Sequence, residues 1–371
     1  MMKIAQVSPL YESVPPKLYG GTERVVAYLI DALVAQGHEV TLFASGDSET
    51  NATLAPICKN ALRLDPSCID HIAYHMLQLK IVKDRACEFD IIHFHTDYLH
   101  FPMSEHFTTP YVTTLHGRLN MPELNMIYDA FDEQPVISIS YDQRLPLPQA
   151  HWVGNVYHGL PKSTLKFGQG DGGYVAFLGR ISPEKRVDRA IEIAIATNKK
   201  IKIAAKVDKV DQEYFDKEIK PLLQHPLVEF IREINETEKC DFLGQAECLL
   251  FPIDWPEPFG LAMIEAMACG TPVIAFRNGS VPEVLRDGIS GYIVNSIPEA
   301  VDAMKLIAQL PRKAVRKEFE KNFSAERMAK DYVKIYQKLI TEAERKSLSP
   351  ILPSQDRHLE NGFPETFQAI S

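Results

Sequence analysis

Short β-type runs alternate with helix-type patterns along this chain, and the alternation begins again halfway. Lys3-Ile4-Ala5-Gln6-Val7 is an apolar run with strand character. A loop carrying Pro, Tyr and Gly follows to Thr22. Val25, Leu29 and Leu33 then recur at helical spacing, and Gly37 stands where such a helix stops. Glu39-Val40-Thr41-Leu42-Phe43 reads as the next strand, and the runs Asp90 to His95, Tyr111 to Leu115 and Val136 to Ser140 continue the series, each ending in polar residues. After Gly168-Gln169-Gly170-Asp171-Gly172-Gly173 the rhythm restarts. The runs Tyr174 to Leu178, Ile201 to Ala205, Cys248 to Phe251 and Pro272 to Phe276 read as strands, with helices expected from Val187 to Thr197 and over 261–268.

Strands joined through helices run parallel, because the helix carries the chain back to the edge it left. The pattern therefore predicts an α/β fold of two Rossmann-like domains facing each other across a deep cleft. The first domain is expected over 1–160 and a turn-rich, flexible linker over 161–173. The second domain is expected over 174–346, closing with a late helix from about Ala325 to Lys346 that carries Met328, Tyr332, Ile335 and Leu339 on one face. Residues 347–371 read as a loose tail.

A length of 371 residues suits two domains of about 100–200 residues each. No apolar run reaches the ~18 residues that span a bilayer, and residues 1–16 lack the pattern of a secretory leader, so a cytoplasmic protein with no integral membrane segment is expected. Six scattered cysteines without a C-x-x-C pair point to reduced thiols rather than a disulfide framework or a zinc knuckle. The net charge of −9 falls almost wholly in residues 1–160, which hold ten Lys and Arg against eighteen Asp and Glu. No basic stripe is visible, so nucleic acid is not an expected partner, and the acidic first half disfavours anionic lipid.

The chemistry concentrates in the second half. In Glu257-Pro258-Phe259-Gly260-Leu261, Pro258 suits an irregular loop and Gly260 lets backbone approach a ligand closely. The helix beginning near Leu261 directs unpaired N–H groups and a partial positive charge at that loop, which suits a phosphate. Glu265, one turn inside, is placed to accept hydrogen bonds from a vicinal diol such as a ribose, and Glu257 from a sugar hydroxyl. In Gly179-Arg180-Ile181-Ser182-Pro183-Glu184-Lys185, Arg180 offers a guanidinium fork and Lys185 a point charge for a diphosphate. Two Glu beside a helix start, or an Arg and Lys in a loop, are each ordinary surface features. Their conjunction points to function.

These segments resemble glycosyltransferase family 4, retaining enzymes of the two-Rossmann GT-B fold. The resemblance is carried by the Gly179–Lys185 turn, by Glu257 and Glu265 eight positions apart with Pro258-Phe259-Gly260-Leu261 between them, by Glu265-Ala266-Met267-Ala268-Cys269-Gly270-Thr271-Pro272-Val273, and by Gly279-Ser280-Val281-Pro282-Glu283-Val284 before Asp287-Gly288. It spans roughly residues 3–340. It implies a nucleotide-diphosphate sugar as co-substrate, with Arg180 and Lys185 on the diphosphate, Glu265 on the ribose, and Glu257 facing the sugar. Backbone near Phe259, Gly260 and Leu261 would meet sugar or phosphate oxygens. Gly20 and Gly21, in Tyr19-Gly20-Gly21-Thr22-Glu23, resemble the loop that approaches the phosphates from the first domain. His116 matches a strand-end histidine near the reacting sugar. His116, Glu257, Arg180 and Lys185 form the expected catalytic set.

The chain contains no D-x-D, so cations and a helix terminus are expected in place of an obligatory metal, and no other cofactor is expected. His93 and His95 with Asp97 lack a convincing third ligand and read as structural or cleft-lining. Two departures from the resemblance stand out: Ala204-Ala205-Lys206 in place of a Gly-rich turn, and Arg232 where a Gly is common, near the expected base pocket. The acceptor, a small molecule or a glycan, is expected against Tyr11, Glu12, Tyr19, Arg118, Asn120, Gln143 and Arg144. A nucleotide-sugar epimerase, a phosphorylase on the same scaffold, and a non-catalytic sugar-nucleotide-binding protein are the alternatives. The phosphorylase lacks a lysine context for pyridoxal.

Overall fold

The structure, a computed structural model, describes residues 1–17, 20–104 and 106–348. Tyr19 and the tail from 349 onward lie outside them. Seven parallel strands form the first sheet: β1 (Lys3–Val7), β2 (Glu39–Ser45), β3 (Thr53–Cys58), β4 (Ile91–Phe94), β5 (Tyr111–Thr114), β6 (Val136–Ser138) and β7 (Trp152–Asn155), in the order β3-β2-β1-β4-β5-β6-β7. Six parallel strands form the second: β8 (Tyr174–Ile181), β9 (Lys200–Val207), β10 (Val228–Arg232), β11 (Leu249–Phe251), β12 (Val273–Phe276) and β13 (Gly291–Val294), in the order β10-β9-β8-β11-β12-β13. The predicted α/β class with two Rossmann-like layers is observed. Among the described residues no helix is long and apolar enough to cross a membrane.

Each sheet reverses its winding once, between β1 and β4 and between β8 and β11. Loops leaving the carboxyl ends of such strand pairs diverge and leave a crevice, where open α/β sheets bind ligands. Gly20 and Gly21 follow β1 and His95 follows β4. Arg180 to Lys185 close β8, and the loop to Glu257 follows β11. Both crevices open into the space between the domains.

Two expectations change. The helix Ala325–Leu348 follows the second domain in sequence, but its buried Met328, Ala329, Tyr332 and Tyr336 pack with Val25, Leu29 and Leu33 in the first domain's core. Its apolar face therefore completes the first domain. The glycines at 168–173 are not a free link either. Gly168, Gly170 and Gly172 donate backbone N–H bonds to Cys269, Gly244 and Gln245 at 2.9–3.0 Å. A Cβ on Gly168 would lie 2.1 Å from the Gly244 carbonyl oxygen, so the glycine serves close backbone approach.

The chain crosses between domains at one place. Leu160 N–H donates to Phe323 O, and Ala325 N–H donates to Leu160 O, each at 2.9 Å. Arg327 secures the crossing by donating to the carbonyls of Tyr157 and His158 at 2.7 and 2.9 Å.

Candidate functional site

The second domain contributes a wall of charge. Arg180, at the end of β8, pairs with Glu184 and lies 3.6 and 3.7 Å from Asp208 and Asp211. Lys185 pairs with Glu257, whose Oε2 also accepts from Trp255 Nε1 at 2.9 Å. The two cations expected on a diphosphate are thus held by carboxylates, and Glu257 is held by two donors. Lys206 joins this wall and pairs with Asp208 at 2.9 Å.

The helix Leu261–Ala268 begins at Gly260, whose φ of 81 is the left-handed conformation that glycine adopts without a Cβ clash. A Cβ there would come within 2.7 Å of Met263 Cε. No side chain caps this helix, and of its first three residues only Met263 donates its N–H to backbone, to Gly260 O at 3.0 Å. Glu265 is buried, and its Oε1 accepts from Lys239 Nζ at 2.7 Å. Lys239, also buried, reaches Glu236 Oε2 at 3.2 Å. Both ride a helix (Glu236–Gln245) begun by a capping box in which Asn235 accepts from the Thr237 and Glu238 N–H groups.

The first domain closes the opposite wall. A Cβ on Gly21 would stand 3.6 Å from Leu261 across the cleft, and one on Gly20 would strike Pro16 at 2.8 Å. Arg24, one turn into the helix Gly21–Ala35, pairs with Glu236 of the second domain. Beyond β5, His116 Nε2 lies 2.8 Å from His95 Nδ1, and its ring stacks on His158 at 5.3 Å. Burial pushes the His116 imidazole down to about 3 and holds His93, His95 and His158 well below the ordinary histidine value, so all four are neutral at physiological pH.

These walls enclose a cavity of about 510 Å³. Gly20, Gly21, His116, Arg180, Lys185, Glu257, Phe259, Gly260, Leu261 and Glu265, all singled out from the sequence, line it together. Of the acceptor candidates, Arg118 lines it too, and its Nε donates to Asn120. Four others, among the described residues, serve elsewhere. Tyr11 packs on His71 and His75, and buried Glu12 pairs with Arg63. Gln143 is buried, its amide donating to the Leu115 and Gly117 carbonyls on either side of His116. Arg144 Nε donates to Ser138 Oγ at 2.7 Å. Arg232 stands outside the cavity at a β-bulge with φ 65, the conformation that makes a glycine natural there, while Glu233 and Ile234 line the wall. Asp97 is exposed at a left-handed turn of φ 50.

Sequence reasoning missed Arg24, His158, Lys239 and Trp255. Only Lys239 had a local signal, the Asn235-x-x-Glu238 helix start one turn before it. The other three depend on contacts distant in the chain.

Two facing parallel sheets with a charged cavity between their switch points define the GT-B architecture. Residues 166–326 match the family model for glycosyl transferases group 1, and residues 19–151 match that for glycosyltransferase family 4. The chain belongs to this family. An uncharacterised glycosyltransferase of Methanocaldococcus jannaschii is 27% identical over 248 residues, covering 62% of this chain and 69% of the relative. Matches to other curated relatives span less than half of their length. Among solved structures, a sucrose-phosphate synthase of Thermosynechococcus elongatus superimposes with a TM-score of 0.75 at 18% identity, covering 92% of this chain and all of the other. HepE of Anabaena in complex with UDP and glucose has a TM-score of 0.69 at 18% identity, covering 91% of this chain and 100% of that one.

Proposed function

We propose that this chain is a retaining glycosyltransferase that moves a hexose from a UDP- or GDP-sugar to a small-molecule or glycan acceptor without a metal. The observation that carries the reading is the convergence of Arg180, Lys185, the uncapped start of Leu261–Ala268, Glu257, Glu265 and His116 on one interdomain cavity. Two cations and a helix N-terminus suit a diphosphate that gains charge as it leaves, which is electrostatic stabilisation of the departing group. Glu265 suits the ribose hydroxyls. The HepE structure, which holds UDP and glucose, supports a nucleotide-sugar donor in such a cleft.

In this reading the acceptor hydroxyl attacks the anomeric carbon from the face the diphosphate leaves. The bond from that carbon to the diphosphate oxygen breaks and the bond to the acceptor oxygen forms. The acceptor's proton passes to the departing phosphate oxygen, so no separate base is needed. Glu257 is a poor covalent nucleophile here, because Lys185 and the Trp255 N–H hold its carboxylate. Its place suits a sugar hydroxyl.

The test is diphosphate release from a panel of nucleotide sugars in chelator, with and without a pooled acceptor extract, for wild type beside Glu265→Ala and Arg180→Ala. One donor turned over only by wild type, and faster with extract, supports the reading. Equal behaviour of all three proteins refutes the assigned donor site. Isomerisation of donor without acceptor would make the chain an epimerase.

A further inference from the structure

Behind His116 runs a hydrogen-bond chain that the transfer reaction itself does not explain. It starts on the final helix. Tyr336 OH lies 2.7 Å from His93 Nδ1 and 3.2 Å from Gln6 Nε2. His93 Nε2 lies 2.7 Å from Thr114 Oγ1, which is 3.0 Å from Tyr332 OH. Gln6 Oε1 lies 2.8 Å from His95 Nε2, and His95 Nδ1 lies 2.8 Å from His116 Nε2. Gln6, His93, His95, Thr114, Tyr332 and Tyr336 are all buried. His116 Nδ1 is the loose end, a buried ring nitrogen with no hydrogen-bond partner.

The direction of each hydrogen bond follows from which groups only donate or only accept. Gln6 Nε2 donates to the Tyr336 oxygen, so the Tyr336 hydroxyl gives its own proton to His93 Nδ1. His93 then carries its hydrogen on Nε2 and donates to Thr114. Gln6 Oε1 only accepts, so His95 carries its hydrogen on Nε2 and leaves Nδ1 bare. A neutral His116 therefore carries its hydrogen on Nε2, donates it to His95 Nδ1, and keeps Nδ1 as a lone pair. Turning the Gln6 amide over would reverse every bond and leave His116 with a buried N–H that no group accepts, a rarer arrangement than a buried bare acceptor. The absence of an acceptor for a hydrogen on His116 Nδ1 is therefore what sets the direction, and the Gln6 amide carries that direction along the chain.

We infer that Gln6 and His95 are positioning residues that hold His116 in its Nε2–H tautomer, so that Nδ1 accepts a hydrogen bond from a hydroxyl of the donor sugar. The ligand half of this inference rests on the transferase reading. The tautomer half does not. Burial keeps all three rings neutral, as the assignment requires. The inference also links the final helix to the site, since Tyr336 holds the Gln6 amide that bonds His95.

Nitrogen-15 NMR of the histidine rings in the full chain tests this directly, with His116→Gln to assign its signals. A pyridine-type shift at His116 Nδ1 and a pyrrole-type shift at Nε2 is the expected result. The reverse pattern overturns the inference. Gln6→Leu removes the acceptor for His95. It is expected to mix the two His116 tautomers and lower kcat about tenfold, near the worth of one hydrogen bond, with UDP and GDP affinity unchanged. A pure Nε2–H tautomer in Gln6→Leu overturns the positioning role. Should that variant fail to fold, Tyr336→Phe frees the other end of the amide and must shift the same signals. Correct tautomer signals in a protein that releases no diphosphate from any nucleotide sugar would refute the transferase reading alone.

Discussion

Glu283 carries no ion-pair partner among the described residues, yet three first-domain groups hold its carboxylate. The Tyr141 and Asp142 N–H groups donate to it at 2.7 and 2.8 Å, and the Tyr157 hydroxyl donates at 3.0 Å. The segment just before it is bonded to the loop that carries Glu257: Ser280 N–H donates to Glu257 O at 3.0 Å and Ser280 Oγ to Phe259 O at 2.8 Å. These three bonds join the two domains in the closed arrangement of the structure, and separating the domains would give each group back to water. A hydrogen bond to a charged group is worth about 1.5–3 kcal/mol net, and for this half-exposed site about 1 kcal/mol each is the better figure. Glu283→Ala should therefore disfavour the closed form by about 3 kcal/mol, roughly a hundredfold in its equilibrium. Glu283→Gln keeps one accepting oxygen and should lose about half of that, roughly tenfold. In the transfer proposed above both walls of the cavity act on the donor, so kcat/KM for diphosphate release should fall by up to the same factors once closure is no longer dominant. Solution scattering should report a larger radius of gyration for Glu283→Ala, with an unfolding midpoint close to wild type because neither core is touched. Wild-type kcat/KM and scattering in Glu283→Ala would refute the reasoning.

Lys239→Met leaves Glu265 buried and unpaired, which should destabilise the chain by about 3–5 kcal/mol in urea unfolding, and adding Glu265→Gln should recover most of the loss. An additive double variant would show that the pair is not coupled. Gly279 has φ 54, and a Cβ there would lie 2.3 Å from Glu257 N, so Gly279→Ala should displace the Glu257 loop and cut donor turnover at least about tenfold while the chain still folds. Unchanged turnover would mean that the loop position does not matter. Burial holds His100 and His116 near about 3 and lowers His93, His95 and His158, whereas the unfolded chain takes up those protons near pH ~6.5. Folded pKa values below the unfolded ones place the full stability above pH ~6.5 and remove it as pH falls, by up to about 1.4 kcal/mol per pH unit for each histidine. A urea midpoint unchanged from pH 7 to pH 5 would contradict this.

The inner strands of both sheets were legible because they are covered on two faces and read as continuous apolar runs. The strands that escaped notice, β3, β7, β10 and β13, are the four sheet edges. Their residues are mostly half-exposed, as in Thr53–Cys58 and Trp152–Asn155, so the apolar signal thins out. The second domain's side of the cavity was legible for a different reason. Gly260, Glu265 and Glu257 sit within one loop and helix start, so their geometry follows from local rules. Lys239 and Glu283 act on groups that only the fold brings near. Gln143 shows the opposite error: its polar side chain suggested an acceptor contact, but its amide is consumed by the Leu115 and Gly117 carbonyls.

The return of the final helix determines what closure can change. Tyr332 and Tyr336 are fully buried in the first domain's core, so the helix moves with that domain. A rigid-body motion of the two domains would then centre on the paired crossing at Leu160 and Ser324, where Gly159 permits contact so close that a Cβ would lie 2.4 Å from Ser324 O. Tyr157 lies beside that crossing and reaches Glu283, which places one end of the clasp at the pivot. The histidine chain lies wholly on one side of this pivot. His116 is thus oriented before any donor arrives, and closure adds only the second domain's groups: Arg180, Lys185, Glu257 and the helix start at Leu261. A variant at Gln6 should accordingly damage the chemistry without loosening the domains, and one at Glu283 should loosen the domains without altering the His116 tautomer.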